Sequence, residues 1–271
     1  MWSGPDLENE SPRGPALQLA IGRTFVRHTP GSLRFASAPA CCSVPSILAE
    51  CKAQGLGLMS MNDLYQPPAL MTMEDLSCIV SASEKPVLLV EGTRRLPDIE
   101  APLLAQLGRL LAKRFPQVTF RSGNADGSDT AFAEAVASID PARLQYVLPS
   151  LSMGKKRRHK ESFAFAVEQV SQVIEDQIAE ETVEATAECE RLVDAHRGLI
   201  VNNRLAAMGR YLLRDTLKVV GDAEHNLAPA TAGIFYVNEK DPMGGGTGHT
   251  IRVCVRRHVP VAFQHVWKKW L

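Results

Sequence analysis

The spacing of apolar positions changes several times along this chain, and each change marks an element. Thr72, with Asp75 three places on, forms a capping box before a helix whose Leu76, Ile79 and Val80 share one face. Residues 86–90 are then continuously apolar. A run without alternation predicts a strand covered on both faces, as in the interior of a parallel sheet. Residues 98–115 return to helical spacing, with Ile99, Leu103, Leu104, Leu107, Leu110 and Leu111 on one stripe. Further strands are predicted at 118–120, 144–148, 234–237 and 259–263, and further helices at 129–137 and 250–257. Between Lys155 and Arg197 there is neither Gly nor Pro, and the charged, periodic stretch predicts one long helix or two. Around Arg210, Tyr211 and Arg214 an amphipathic helix is expected to turn Leu212, Leu213 and Leu217 inward, with the two arginines on one face.

Strands alternating with helices specify an α/β fold. The expectation is a mostly parallel sheet flanked by helices, with an N-terminal helical and irregular extension. The extension is assigned to residues 1–80. It is rich in Pro, Ser, Gly and Ala up to about residue 45, with a short helix over 45–55; the α/β domain is assigned to 81–271.

Composition narrows the class. Of 271 residues 45% are hydrophobic and 22% charged, which argues against disordered, collagen-like and coiled-coil chains. Thirty basic residues balance thirty acidic ones, so the whole chain exerts no net pull on nucleic acid or anionic membrane. No apolar run reaches the roughly 18 residues of a membrane span. The polar start lacks the basic-then-apolar order of a secretory signal. Six scattered cysteines without a C-x-x-C read as reduced thiols, and a cytoplasmic location is expected. Cys41, Cys42 and Cys51 lack the paired ligand sites of a metal centre, and no metal is expected.

The chemistry concentrates in three turns of one kind: apolar strand, small-residue loop, helix. Such loops at the carboxyl ends of strands present backbone N–H groups at helix N-termini, where anions bind. The first holds Gly92, Thr93 and Arg94, a hydroxyl donor beside a guanidinium able to grip phosphate. The second runs through Ser122, Gly123, Asn124, Ala125, Asp126, Gly127, Ser128 and Asp129, with Ser128 or Asp129 expected to cap the next helix. The third holds Gly244, Gly245, Gly246, Thr247, Gly248 and Thr250, with His249 either a base or a packing residue. No G-x-G-x-x-G and no Walker lysine accompanies them. A basic run from Lys155 to Lys160 follows the 144–148 strand and could hold phosphate or nucleic acid near the same edge. Tyr211 could stack on a base, and Trp267 and Trp270 are expected to cover a sheet edge or a neighbouring subunit.

The segments around Gly92-Thr93-Arg94, Ser122 to Asp129 and Gly244 to Thr250 resemble the three loops of the SLOG superfamily. That group includes the DNA-uptake protein DprA/Smf and the Lonely-guy phosphoribohydrolases. The resemblance covers about residues 80–271 and implies a Rossmann-like sheet whose loops hold a nucleotide or nucleotide-derived ligand, as sensor or processing protein. It implies no cofactor beyond that ligand, and a homodimer, since relatives often pair. Two alternatives accompany it. One is an N-glycosidic hydrolase acting on nucleotides. Here, though, the Glu that the Lonely-guy motif carries three places after its Thr is replaced by Thr250, so Glu91, Asp126 or Asp129 would have to serve. The other is a DprA-like module binding single-stranded DNA through the basic run.

Overall fold

The structure, a computed structural model, describes residues 72–271. Those residues form a six-stranded sheet, every paired strand parallel, in the order β4-β3-β2-β1-β5-β6. The strands are β1 (Val87–Gly92), β2 (Thr119–Ser122), β3 (Leu144–Leu148), β4 (Phe163–Ala166), β5 (Ala232–Tyr236) and β6 (Val261–Ala262). The helices are α1 (Met73–Ala82), α2 (Ala101–Arg114), α3 (Ser128–Ala137), α4 (Gln172–Ala185), α5 (Glu190–His196), α6 (Asn203–Val220), α7 (Gly245–Arg256) and α8 (Gln264–Trp267). This is the Rossmann-like α/β class expected from the sequence.

Alternation along the strands sorts the core into two layers. Leu88 and Val90 of β1, Phe120, Tyr146 and Ile234 pack with α1, α2 and α3 on one face. Leu89, Val147, Phe165 and Phe235 turn to the other face, towards α4, α5, α6 and α7. The capping box of Thr72 and Asp75 is present, and α1 places Met73, Leu76 and Val80 in the first layer. Residues 72–80, read from sequence as extension, therefore belong to the sheet's core. The short helix expected over 45–55 and the cysteines at 41, 42 and 51 lie outside the described residues. Among the described residues, no helix is long and apolar enough to cross a membrane.

Two expectations change. The stretch 155–197 is not continuous helix. It contains β4, which pairs with β3 through Gln145–Phe163 and Leu148–Ala166, and only then α4 and α5. Helical periodicity begins at Ser171, whose side chain caps α4 by accepting from the Ile174 amide. Helix α7 begins within the glycine run, at Gly245 rather than Thr250. Trp267 is fully buried, donating from Nε1 to the Phe235 carbonyl at 2.9 Å, and Trp270 packs at the margin of the same core.

Candidate functional site

Strands β2, β3 and β4 follow β1 on one side, whereas β5 and β6 lie on the other. The strand order thus reverses between β1 and β5, where α/β sheets open a crevice beyond the carboxyl ends of their strands. All strands being parallel, the three glycine-containing loops emerge at this same edge. They are stitched together: Thr93 N–H donates to the Tyr236 carbonyl (2.9 Å), Ser128 donates to the Thr93 carbonyl from its amide (3.1 Å) and hydroxyl (3.0 Å), and Thr247 Oγ1 donates to the Gly92 carbonyl (3.1 Å).

A cavity of about 800 Å³ opens there. Its walls include Gly92, Thr93, Arg94, Ala125, Asp129, Gly244, Gly245, Gly246 and Thr247. The remaining loop residues support it from outside. Ser122 Oγ accepts from the Asn124 amide, and Asn124 Nδ2 donates to the Gly154 carbonyl at 3.1 Å. Asp126 is exposed and pairs with Arg157. Gly127 turns into α3, Gly248 packs against the Met243 backbone, and Thr250 Oγ1 donates back to the Gly246 carbonyl at 3.1 Å.

The second loop differs from its sequence reading. Neither Ser128 nor Asp129 caps α3; the N-cap is Gly127, at φ 80°, where a Cβ would stand 2.6 Å from the carbonyl oxygens of Thr93 and Arg94. Asp129 turns its carboxylate inward and accepts from three amides, those of Gly92, Gly123 and Ala125, each at 3.2 Å. An internal carboxylate thus occupies the N–H groups that the glycine pattern offers to a phosphate. The third loop is different. Helix α7 has no side-chain cap, and the amides of Gly245, Gly246 and Thr247 have no acceptor among the described residues. Those three groups carry the positive end of a 12-residue helix to the cavity wall.

The cavity floor is a buried charged network that sequence reasoning largely missed. Lys218 Nζ pairs with Glu91 Oε2 and with Asp215 Oδ1 at 2.8 Å. Arg214 Nε lies 3.1 Å from Asp215 Oδ1, and Arg214 Nη1 donates to the Gly123 carbonyl at 3.0 Å. Burial raises the Glu91 carboxyl above its usual range, with Lys218 opposing. Burial would also raise Asp215, but Arg214 and Lys218 outweigh it and hold that carboxyl low. Burial works against the Lys218 ammonium, yet Asp215 and Glu91 keep its pKa above the ordinary value. The available signal was the set Arg214, Asp215 and Lys218 falling on and beside the inward Leu213–Leu217 stripe of α6, where a solvated face would place no charge. Tyr211 lines the cavity with the guanidinium groups of Arg94 and Arg214 over its ring, at 5.9 Å and 5.6 Å from the centroid.

His249 is settled by its partners. Thr182 Oγ1 donates to the Ile178 carbonyl (2.6 Å), so Thr216 Oγ1 must donate to Thr182 (2.6 Å). His249 Nε2 therefore carries the proton and donates to Thr216 Oγ1 (3.0 Å). Its bare Nδ1 accepts from Thr186 Oγ1 (2.9 Å), which accepts in turn from Arg252 Nε (2.8 Å). Burial pushes the imidazole down to about 4. Both ring nitrogens are engaged, so His249 is a buried positioning residue and not a base poised for a ligand.

No protein-family model matches the chain, and no curated protein does. Among solved structures, it is similar to DNA processing protein A from Helicobacter pylori, a structure concerned with single-stranded DNA binding. Identity is 12% over 77% of this chain and 78% of that one, with a TM-score of 0.34. The fold assigned to this chain rests on its own sheet order and not on that superposition.

Proposed function

We propose that the protein binds a nucleotide or nucleotide-derived phosphate ester in the crevice between β1 and β5, with the phosphate on the first turn of α7. One observation carries this reading: among the described residues, the amides of Gly245, Gly246 and Thr247 lack acceptors at the wall of a cavity large enough for such a ligand. Thr93 and Arg94 add a hydroxyl and a guanidinium from the neighbouring loop. The Asn124–Gly127 turn supports the loop, and the amides of Gly92, Gly123 and Ala125 donate to the Asp129 carboxylate instead of to a phosphate. The test is calorimetric titration of the full chain with nucleoside monophosphates, beside a Gly245→Asp variant. Gly245 has φ 62° with open space around its missing Cβ, so aspartate meets no clash there and carries only the strain of a left-handed backbone, which a Gly245→Asn control of the same shape shares. A carboxylate among those amides is expected to lower affinity at least about tenfold by repulsion and competition. Unchanged affinity would remove the α7 assignment.

A second reading, N-glycosidic cleavage, is favoured by Glu91 alone. It lines the cavity, whereas Asp129 is committed to three amides and Asp126 is exposed away from it. Release of free base from a bound nucleoside monophosphate would support it; binding without release supports a sensor.

A further inference from the structure

The network beneath the cavity leaves one acceptor over. Glu91 is only 4% exposed, and its Oε2 is held by Lys218, but Oε1 has no hydrogen-bond partner among the described residues. A buried carboxylate oxygen without a donor is costly, and no side chain of the network donates to it. Lys218 is already shared with Asp215; Arg214 donates from Nη1 to the Gly123 carbonyl, and its Nε faces Asp215 as an ion pair at 3.1 Å without a hydrogen bond. Turning Glu91 to satisfy Oε1 would sacrifice its bond to Lys218. A donor to Oε1 can come from the cavity that Glu91 lines.

The position of Glu91 limits what that donor can be. Thr247 of α7 bonds to the carbonyl of Gly92, the next residue after Glu91. A Cβ on Gly246 would stand 2.7 Å from Asp215 Oδ2, and Asp215 is one lysine away from Glu91. The open α7 amides and Oε1 are therefore on adjoining walls. In a nucleoside monophosphate, the group adjoining the phosphate is the sugar, and the base edge lies farther off. A cationic donor would also have to settle beside the Lys218 ammonium, a repulsion that a neutral hydroxyl avoids.

Resting on the phosphate-ester reading above, we propose that Glu91 is a specificity-determining residue. Its Oε1 accepts a hydrogen bond from a sugar hydroxyl of the ligand, so the cavity selects hydroxylated sugar phosphates over deoxygenated ones. This role holds whether or not bond cleavage follows.

The experiment pairs two ligands with three proteins. Adenosine 5′-monophosphate and its 2′,3′-dideoxy analogue are titrated into the full wild-type chain, Glu91→Gln and Glu91→Ala, with thermal melting of each protein recorded. Wild type is expected to prefer the hydroxylated ligand by about tenfold or more, the usual weight of a hydrogen bond to a charged group. That preference should shrink several-fold in E91Q, which keeps a neutral acceptor, and approach unity in E91A. Equal binding of both ligands to wild type, or a preference that survives intact in the variants, overturns the assignment. Should E91A fail to fold, the wild-type ratio and its change in E91Q still decide. If neither ligand binds wild type, the phosphate-ester reading itself fails; if both bind equally, only the role of Glu91 does.

Discussion

Asp129 does the work that the glycine pattern suggests for a ligand. Its two oxygens take the amides of Gly92, Gly123 and Ala125, tying the β1 and β2 loops together at 3.2 Å. Asp129→Ala should therefore cost stability as well as shape, on the order of 3 kcal/mol from amides left without an acceptor, read as a fall in denaturation midpoint. His249 makes a prediction with a sign. Burial holds it neutral in the fold, with a pKa of about 4 against an ordinary 6.5. Below 6.5 the unfolded chain takes up the proton first, so stability present above that pH is lost as pH falls towards 4. The full difference is at most about 3 kcal/mol. Denaturation midpoints of wild type and a non-titrating His249→Gln variant across this range check it: the variant should show the smaller decline. An equal decline in both would locate the effect elsewhere.

At the scale of elements, β2 and α6 depend on one buried cation. Arg121, on β2, donates from Nη1 to the Lys218 carbonyl, from Nη2 to the Ala228 carbonyl and from Nε to Gln145 Oε1, each at 2.6 Å. It is fully buried, and burial lowers its pKa to about 9. The carbonyl of Lys218 is in the last turn of α6, where a cation also meets the negative end of the helix. Arg121→Leu should leave these acceptors unpaired and destabilise the protein by about 3 kcal/mol or more, and Arg121→Lys should recover only part of it. Both follow from denaturant titration. The turn before α3 is similarly constrained. At Gly127 a positive φ coincides with two carbonyl oxygens where a side chain would go, so Gly127→Ala should cost about 2 kcal/mol.

Across the whole molecule, charge is balanced locally as well as in sum. Glu91, Asp129, Asp215 and Asp241 at the cavity face Arg94, Arg214, Arg252 and the underlying Lys218. A cavity with no surplus of positive charge suits a ligand with one phosphate better than a polyanion. Binding of a monophosphate should weaken only shallowly with salt, with a log–log slope near about −1. Lys155, Lys156 and Lys160 are exposed, and their run adjoins the second loop through the Arg157–Asp126 pair. Attachment of a nucleic-acid strand there would give a much steeper slope, reduced in a Lys155→Ala, Lys156→Ala double variant. Titrations at several salt concentrations separate the two.

The sequence by itself determined the class of fold, the parallel interior strand β1, the Thr72 cap and the three loops, because each is written in local periodicity or in residues with special backbone freedom. It did not reveal β4: Phe163 and Phe165 alternate over only four residues, and the lack of Gly and Pro around them imitates a helix. Nor did it show that Asp129 fills one loop while α7 leaves another open, or that Arg214, Asp215 and Lys218 from α6 come to lie under Glu91 from β1. Hydrogen bonds and ion pairs between residues as much as 168 positions apart depend on which strands become neighbours. Only the packed sheet makes that choice, and with it the site.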